Sequence, residues 1–234
     1  MIAVLKKELK TYFMSPVGYI FVGAIIFISS IFFMSGVVLM QRADIGVVFS
    51  NINAIYLFLA ALLTMRLFAE EKNKKTDQLL LSAPVRITDI VLGKFLAAMS
   101  VLGISLIISL AYPVIMCIYA KPAISEIIGS YVGFILLWGC FISIGVFISS
   151  LTESQVIAGV LTFAALLVIS TVPQFTLNMQ DGFFKDLLGV ISLYDRYTEF
   201  QRGILNIESV IYYLSFIFVF LFLTVRIIDK RRYS

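Results

Sequence analysis

Twenty-four consecutive residues, 17–40, contain no Asp, Glu, Lys or Arg. At about 1.5 Å per residue, such a run is long enough to cross the hydrocarbon core of a bilayer with some tilt. It is too long for the apolar region of a signal peptide and ends in Met40-Gln41-Arg42-Ala43-Asp44 rather than at a small-residue cleavage site, so it reads as a retained first span. Further uncharged runs cover 47–65, 95–120, 127–151, 156–177 and 210–225. Together they predict an all-α membrane protein of six transmembrane helices at about 17–40, 47–68, 95–120, 127–151, 156–177 and 207–228, in a single domain 1–234. A mean hydropathy of +1.02 and a charged fraction of 14%, against about 25% in soluble domains, agree with lipid as the main solvent. The 234 residues leave no room for an ATPase domain beside the spans.

The stretch 183–208 invites a seventh span, but it contains Lys185, Asp186, Asp195, Arg196, Glu199 and Arg202. At about 2.5 to 3.5 kcal/mol for each charge near the bilayer centre, a crossing costs on the order of 15 kcal/mol or more. Phe184, Leu187, Leu188 and Ile191, then Tyr194, Tyr197, Phe200 and Ile204, recur at helical spacing, so this stretch reads as an outer helical hairpin between spans five and six.

An even number of spans puts both termini on one side. Lys6, Lys7, Lys10, Arg66, Lys72, Lys74, Lys75, Arg86, Lys94, Arg226, Lys230, Arg231 and Arg232 fall there, which is 13 of the 18 basic residues. The positive-inside rule therefore places both ends in the cytoplasm, and the basic excess needs no nucleic-acid partner.

The chain has no histidine, which removes the commonest general base and metal ligand; no catalytic and no metal residues are assigned. Cys117 and Cys140 sit in apolar runs and read as small hydrophobes. Away from their ends the spans hold no charge, unlike the ion and proton relays of secondary transporters. Gly129 and Gly133, with Gly145 and Ser149 on the same span, allow close helix approach, read as internal packing ahead of dimerisation. Pro113 and Pro173 lie near the outer ends of spans three and five, where a proline kinks or terminates a helix.

Two segments stand out as functional. Ahead of span one, Ile2, Leu5, Leu9 and Phe13 share one helical face and Lys6, Lys7 and Lys10 the other, which suits an interfacial amphipathic helix or a plain positive-inside anchor. Between spans two and three, a charged helical start at Glu70-Glu71-Lys72 leads to a Leu79-Leu80-Leu81 patch and a stop at Pro84. By composition this is a docking surface or a solvated connector.

Glu70-Glu71-Lys72, Thr76-Asp77-Gln78-Leu79-Leu80-Leu81-Ser82-Ala83-Pro84-Val85 and Ile90-Val91-Leu92-Gly93-Lys94-Phe95 resemble the membrane permeases of type-2 ABC transporters, especially the gliding-motility-associated group. Ser192-Leu193-Tyr194-Asp195-Arg196-Tyr197, Phe200-Gln201-Arg202-Gly203 and Tyr212-Tyr213-Leu214 are similar to the C-terminal part of that family. The resemblance implies a cytoplasmic coupling helix that contacts an ATPase, carried here by Glu70, Glu71, Lys72, Lys75, Thr76, Asp77, Gln78, Leu79 and Leu80. Gln78 stands where relatives often have Glu, which bears on a salt bridge there and not on the loop's role. The resemblance also implies two cytoplasmic ABC ATPase subunits per complex, a second permease copy or a sister permease, export, and a bacterial cytoplasmic membrane. No G-x-x-x-x-G-K-[ST] phosphate loop is present, so ATP and Mg are expected on the ATPase partner, with no cofactor in this chain. A membrane scaffold and an ion-coupled carrier are the rival readings, and no residues are assigned to substrate.

Overall fold

A computed structural model describes residues 1–40, 44–76, 85–119, 122–178 and 192–232. The described residues are helical and contain no strand. Helix α1 is Ile2–Met14; Ser15 and Pro16 then turn the chain into α2, Pro16–Phe33, with proline at the position where its missing N–H costs nothing. A π-helical turn, Met34–Val38, closes α2. Next come α3, Gly46–Asn51, α4, Asn53–Thr64, and the short α5, Ala69–Asn73. Then follow α6, Ile87–Ser109, α7, Ala111–Tyr119, and α8, Ile124–Leu151. The chain ends with α9, Gln155–Asn178, α10, Leu193–Gln201, and α11, Ile207–Arg232.

Among the described residues five helices are long and apolar enough to cross a membrane: Pro16–Val38, Ile87–Ile118, Ile124–Leu151, Gln155–Val172 and Ile207–Arg231. The expected second span is divided. Its apolar run is continuous, but the helix breaks at Ile52, whose backbone sits at φ −88° and ψ −1° between Asn51 and Asn53. Asparagine competes with helical hydrogen bonding and favours such turns. The helix expected as the third span starts at Ile87, eight residues before the expected 95, and is interrupted at Leu110, where Pro113 has no N–H for the Ser109 carbonyl.

Helix α8 is the spine, with 72% of its apolar stretch buried against 17% for α9 and 22% for α11. Small residues let neighbours close on it: a Cβ on Gly145 would lie 2.1 Å from Thr64 Oγ1 of α4, and one on Gly139 would lie 2.7 Å from Ile217 Cδ1 of α11. Around Trp138 the core is aromatic, with Phe21, Tyr56, Phe134 and Phe141 in edge-on or tilted contact. Several hydroxyls inside the bundle find internal partners: Ser29 and Tyr56 are 2.9 Å apart, and Tyr131 donates to the Ser109 carbonyl at 2.9 Å. Lipid offers no replacement partner, so such internal pairing spares these groups the cost of burial unpaired.

Both ends of the described chain sit at one end of the bundle. The N-terminal ammonium is 3.7 Å from Asp89 at the start of α6, and Arg231 is 3.7 Å from Glu153 in the turn between α8 and α9. The opposite end carries α10. Its Phe200 fits the notch made by Gly129 and Gly133, where added Cβ atoms would lie 2.1 Å from the Phe200 carbonyl oxygen and 2.6 Å from Phe200 Cβ. The glycine pair thus serves internal packing, against a short helix rather than another span. Ser192 caps α10 by accepting from the Asp195 N–H, and Gln201 donates to the Gly46 carbonyl at the start of α3. The first arm of the expected outer hairpin, with Phe184, Leu187, Leu188 and Ile191, lies outside the described residues.

Candidate functional site

The site is built where α4 gives way to α5. After Thr64 the chain turns, and Ser149 of α8 holds the turn from outside: its Oγ accepts from the N–H groups of Phe68 and Ala69 at 3.1 Å each and donates to the Met65 carbonyl at 3.2 Å. This one hydroxyl satisfies groups that a broken helix would otherwise leave bare in an apolar setting. Next to it, the Lys72 ammonium is buried and donates to the Ser150 carbonyl. Helix α5 is thereby fixed to the end of α8.

Two carboxylates follow different courses. Glu70 is paired along its own segment, with Arg66 Nε at 2.8 Å and Lys74 Nζ at 2.7 Å. The Arg66 hydrogen bond, aided by Lys74, holds its carboxyl below the usual range against a smaller cost of burial. Glu71 turns inward, where Lys7 Nζ of α1 meets Oε1 at 2.7 Å and Lys94 Nζ of α6 approaches Oε2 at 2.9 Å. Burial is the largest influence on Glu71 and pushes its pKa up, yet the charge of Lys94 and the hydrogen bond and charge of Lys7 together outweigh it and hold the carboxyl below the usual carboxylate range.

Lys94 is the centre of the site. It is fully buried, donates to Glu8 Oε1 at 3.0 Å and to the Leu67 carbonyl at 2.5 Å, and lies 5.0 Å from the centre of the Phe68 ring. Its contact with Glu71 is one of charge, since the angle there gives no hydrogen bond. Glu8 comes from α1, whose inward face is Val4, Glu8 and Tyr12. Gly93 makes that approach possible, because a Cβ there would lie 2.9 Å from Val4 Cβ. Tyr12 completes the attachment by donating to the Leu63 carbonyl at 2.8 Å.

Of the sequence-predicted residues, Glu70, Glu71 and Lys72 are therefore engaged inside this end of the bundle, while Lys75 and Thr76 are exposed. Lys75 takes a left-handed backbone, φ 54°, which turns the chain away from α5. Asp77, Gln78, Leu79 and Leu80 lie outside the described residues. On α1, Ile2 is 64% exposed and Leu5, Leu9 and Phe13 are half-buried, which leaves an apolar strip beside the inward face. Sequence reasoning passed over Glu8, counted Lys94 only among the basic residues of one face and in the family motif, and took Ser149 only as a small residue for close helix approach. The available signals were one acid among Lys6, Lys7 and Lys10, and one cation at the head of an uncharged run of membrane-spanning length. A charge in either place needs a partner, and each is the other's.

Two buried lysines join four helices: Lys94 of α6 pairs with Glu8 of α1 and Glu71 of α5, and Lys72 of α5 donates to α8. A comparison with curated proteins returns no significant match. The family model described as "ABC-2 family transporter protein" matches residues 2–228, and this chain belongs to that family.

Proposed function

We propose that this permease spans the membrane six times, counting α3 and α4 together as the second crossing, with both termini in the cytoplasm, and that it couples transport to a separate ABC ATPase. Support for the crossing is that α3 begins beside Gln201 at one end of the bundle and α4 finishes beside Ser149 at the other. Support for the orientation is the gathering of the basic N-terminal, loop and C-terminal segments at one end.

The observation that carries the coupling role is the joining of α5 to α1, α6 and α8 by Lys94, Glu71, Lys72 and Ser149. Closure of the ATPase pair on ATP pushes the loop 70–81, and the rigid α5 hands that push to the spans. The nucleotide's differential affinity for two permease states supplies the work. Export, one ATPase for each of two permease copies or sister permeases, and a place near the gliding-motility-associated group rest on the loop and C-terminal residues that resemble that group.

The test is the loop's leucine patch. Replacing Leu79 and Leu80 by Ala removes two apolar anchors, a change that commonly costs about 2 kcal/mol or more when an anchor is buried in an interface. The double variant is expected to reach the membrane in normal amounts, to lose co-purification with the ATPase and to uncouple hydrolysis from transport. Lys75→Ala, an exposed charge at the rim, is expected to change both much less. Unchanged association and activity in the double leucine variant would reduce the loop to a connector.

A further inference from the structure

On the outside of the bundle, a groove of about 260 Å³ runs between the first turns of α6 and the last turns of α11. Val91, Leu221 and Val225 line its depth, and Leu92, Phe218 and Phe222 its open edges. Along α11 the lining extends from Phe218 to Asp229, about 16 Å at the helical rise. Its character changes along that length. The part toward the bundle's middle is wholly apolar, and the part toward the termini is finished by Arg226, Asp229 and Thr88.

That sequence of surfaces, an apolar channel capped by charge at the membrane boundary, has the shape and polarity of a phospholipid. The cap is also specific in its charge. Arg226 is laid over the Phe222 ring, 5.0 Å from its centre, and among the described residues neither Arg226 nor Asp229 has an ion pair. A mouth bearing only cations would accept any anionic headgroup. A carboxylate beside the guanidinium repels a headgroup that is only anionic, and offers an acceptor to one that carries an ammonium as well.

We propose that the groove holds one phosphatidylethanolamine molecule from the leaflet at the termini end, with its phosphate on Arg226, its ammonium on Asp229 and one acyl chain along Val225, Leu221 and Phe218. A quaternary ammonium has no N–H to donate, so phosphatidylcholine is held less well; phosphatidylglycerol meets Asp229 unfavourably. Because the lipid bridges α6 and α11, it steadies the helix that carries Lys94.

The test uses the full chain, stripped of lipid in detergent and offered phosphatidylethanolamine, phosphatidylglycerol and phosphatidylcholine of matched acyl chains, with adducts counted by native mass spectrometry. Wild-type protein is expected to retain one phosphatidylethanolamine in preference to the others. Arg226→Gln should lower that retention about tenfold, the value of one charge-assisted contact. Asp229→Asn should abolish the preference for phosphatidylethanolamine over phosphatidylcholine and raise phosphatidylglycerol. Leu92→Trp, which fills the groove from an exposed position, should reduce all three without lowering the melting temperature of the lipid-stripped protein. Equal retention of the three lipids by wild type, or unchanged adducts in Arg226→Gln and Leu92→Trp, would overturn the proposal. A shift in the monomer–dimer ratio in those variants, with adducts unaltered, would also overturn it and make the groove a contact between two copies.

Discussion

Lys94 is surrounded by two carboxylates, a backbone carbonyl and an aromatic ring, and each comes from a segment distant in the chain. Removing one member of a buried ionic group leaves the others uncompensated, which costs about 3–5 kcal/mol, far more than an exposed pair. Lys94→Met is therefore expected to lower the melting temperature of the detergent-solubilised protein sharply, and adding Glu8→Gln and Glu71→Gln to recover much of the loss. The same group sets an acid limit. Glu71 has a pKa depressed below 4.5 in the folded state, so its contribution is present above the unfolded value and is lost as pH falls through the folded one. Thermal melts taken from neutral pH downward should show stability falling through and below the carboxylate range, and Glu71→Gln should flatten that fall. The residue types at this site were legible in sequence, since acids and lysines in a sparsely charged chain are conspicuous. Their pairing was not, because helical spacing along α1 places Glu8 near its lysine neighbours and says nothing of a lysine 86 residues away.

At the scale of elements, the long uncharged runs translate directly into α2, α6, α8, α9 and α11, because lipid demands internal satisfaction of every backbone group and a helix is the local way to provide it. Interruptions were harder to read. The turn at Ile52 leaves the hydropathy of its run unchanged, and the start of α6 at Ile87 includes Lys94, a charge at which the uncharged run stops. The seat of α10 was half legible: Gly129 and Gly133 declared a close contact without naming the partner. That contact is testable against an internal control. Gly129→Ala would push a methyl onto the Phe200 carbonyl, a backbone atom that cannot swing aside, and overpacking of this kind costs about 1–3 kcal/mol. Gly23→Ala on α2 meets nothing within 4 Å. The first variant should melt well below wild type and the second close to it.

For the whole molecule, the charge count and the fold express one asymmetry: lysines and arginines from the N-terminal helix, the α5 turn and the C-terminal helix converge at one end, while α10 and the start of α8 occupy the other. Cysteine labelling reads the orientation directly, once exposed Cys117 is replaced by Ser; Cys140 is buried and silent. In intact cells, a cysteine at Lys74 should be shielded from an impermeant thiol reagent and one at Ser125 should react. Reaction at Lys74 before lysis would invert the proposed orientation. The buried ionic group also imposes an order on biosynthesis. Glu8 and Glu71 leave the ribosome before Lys94 does, so until α6 emerges these two carboxylates have only Lys7 between them and no buried cation to gather around. The first helix to be made therefore cannot settle before α6 emerges, and the N-terminal third of the chain waits on Lys94 to close this end of the bundle.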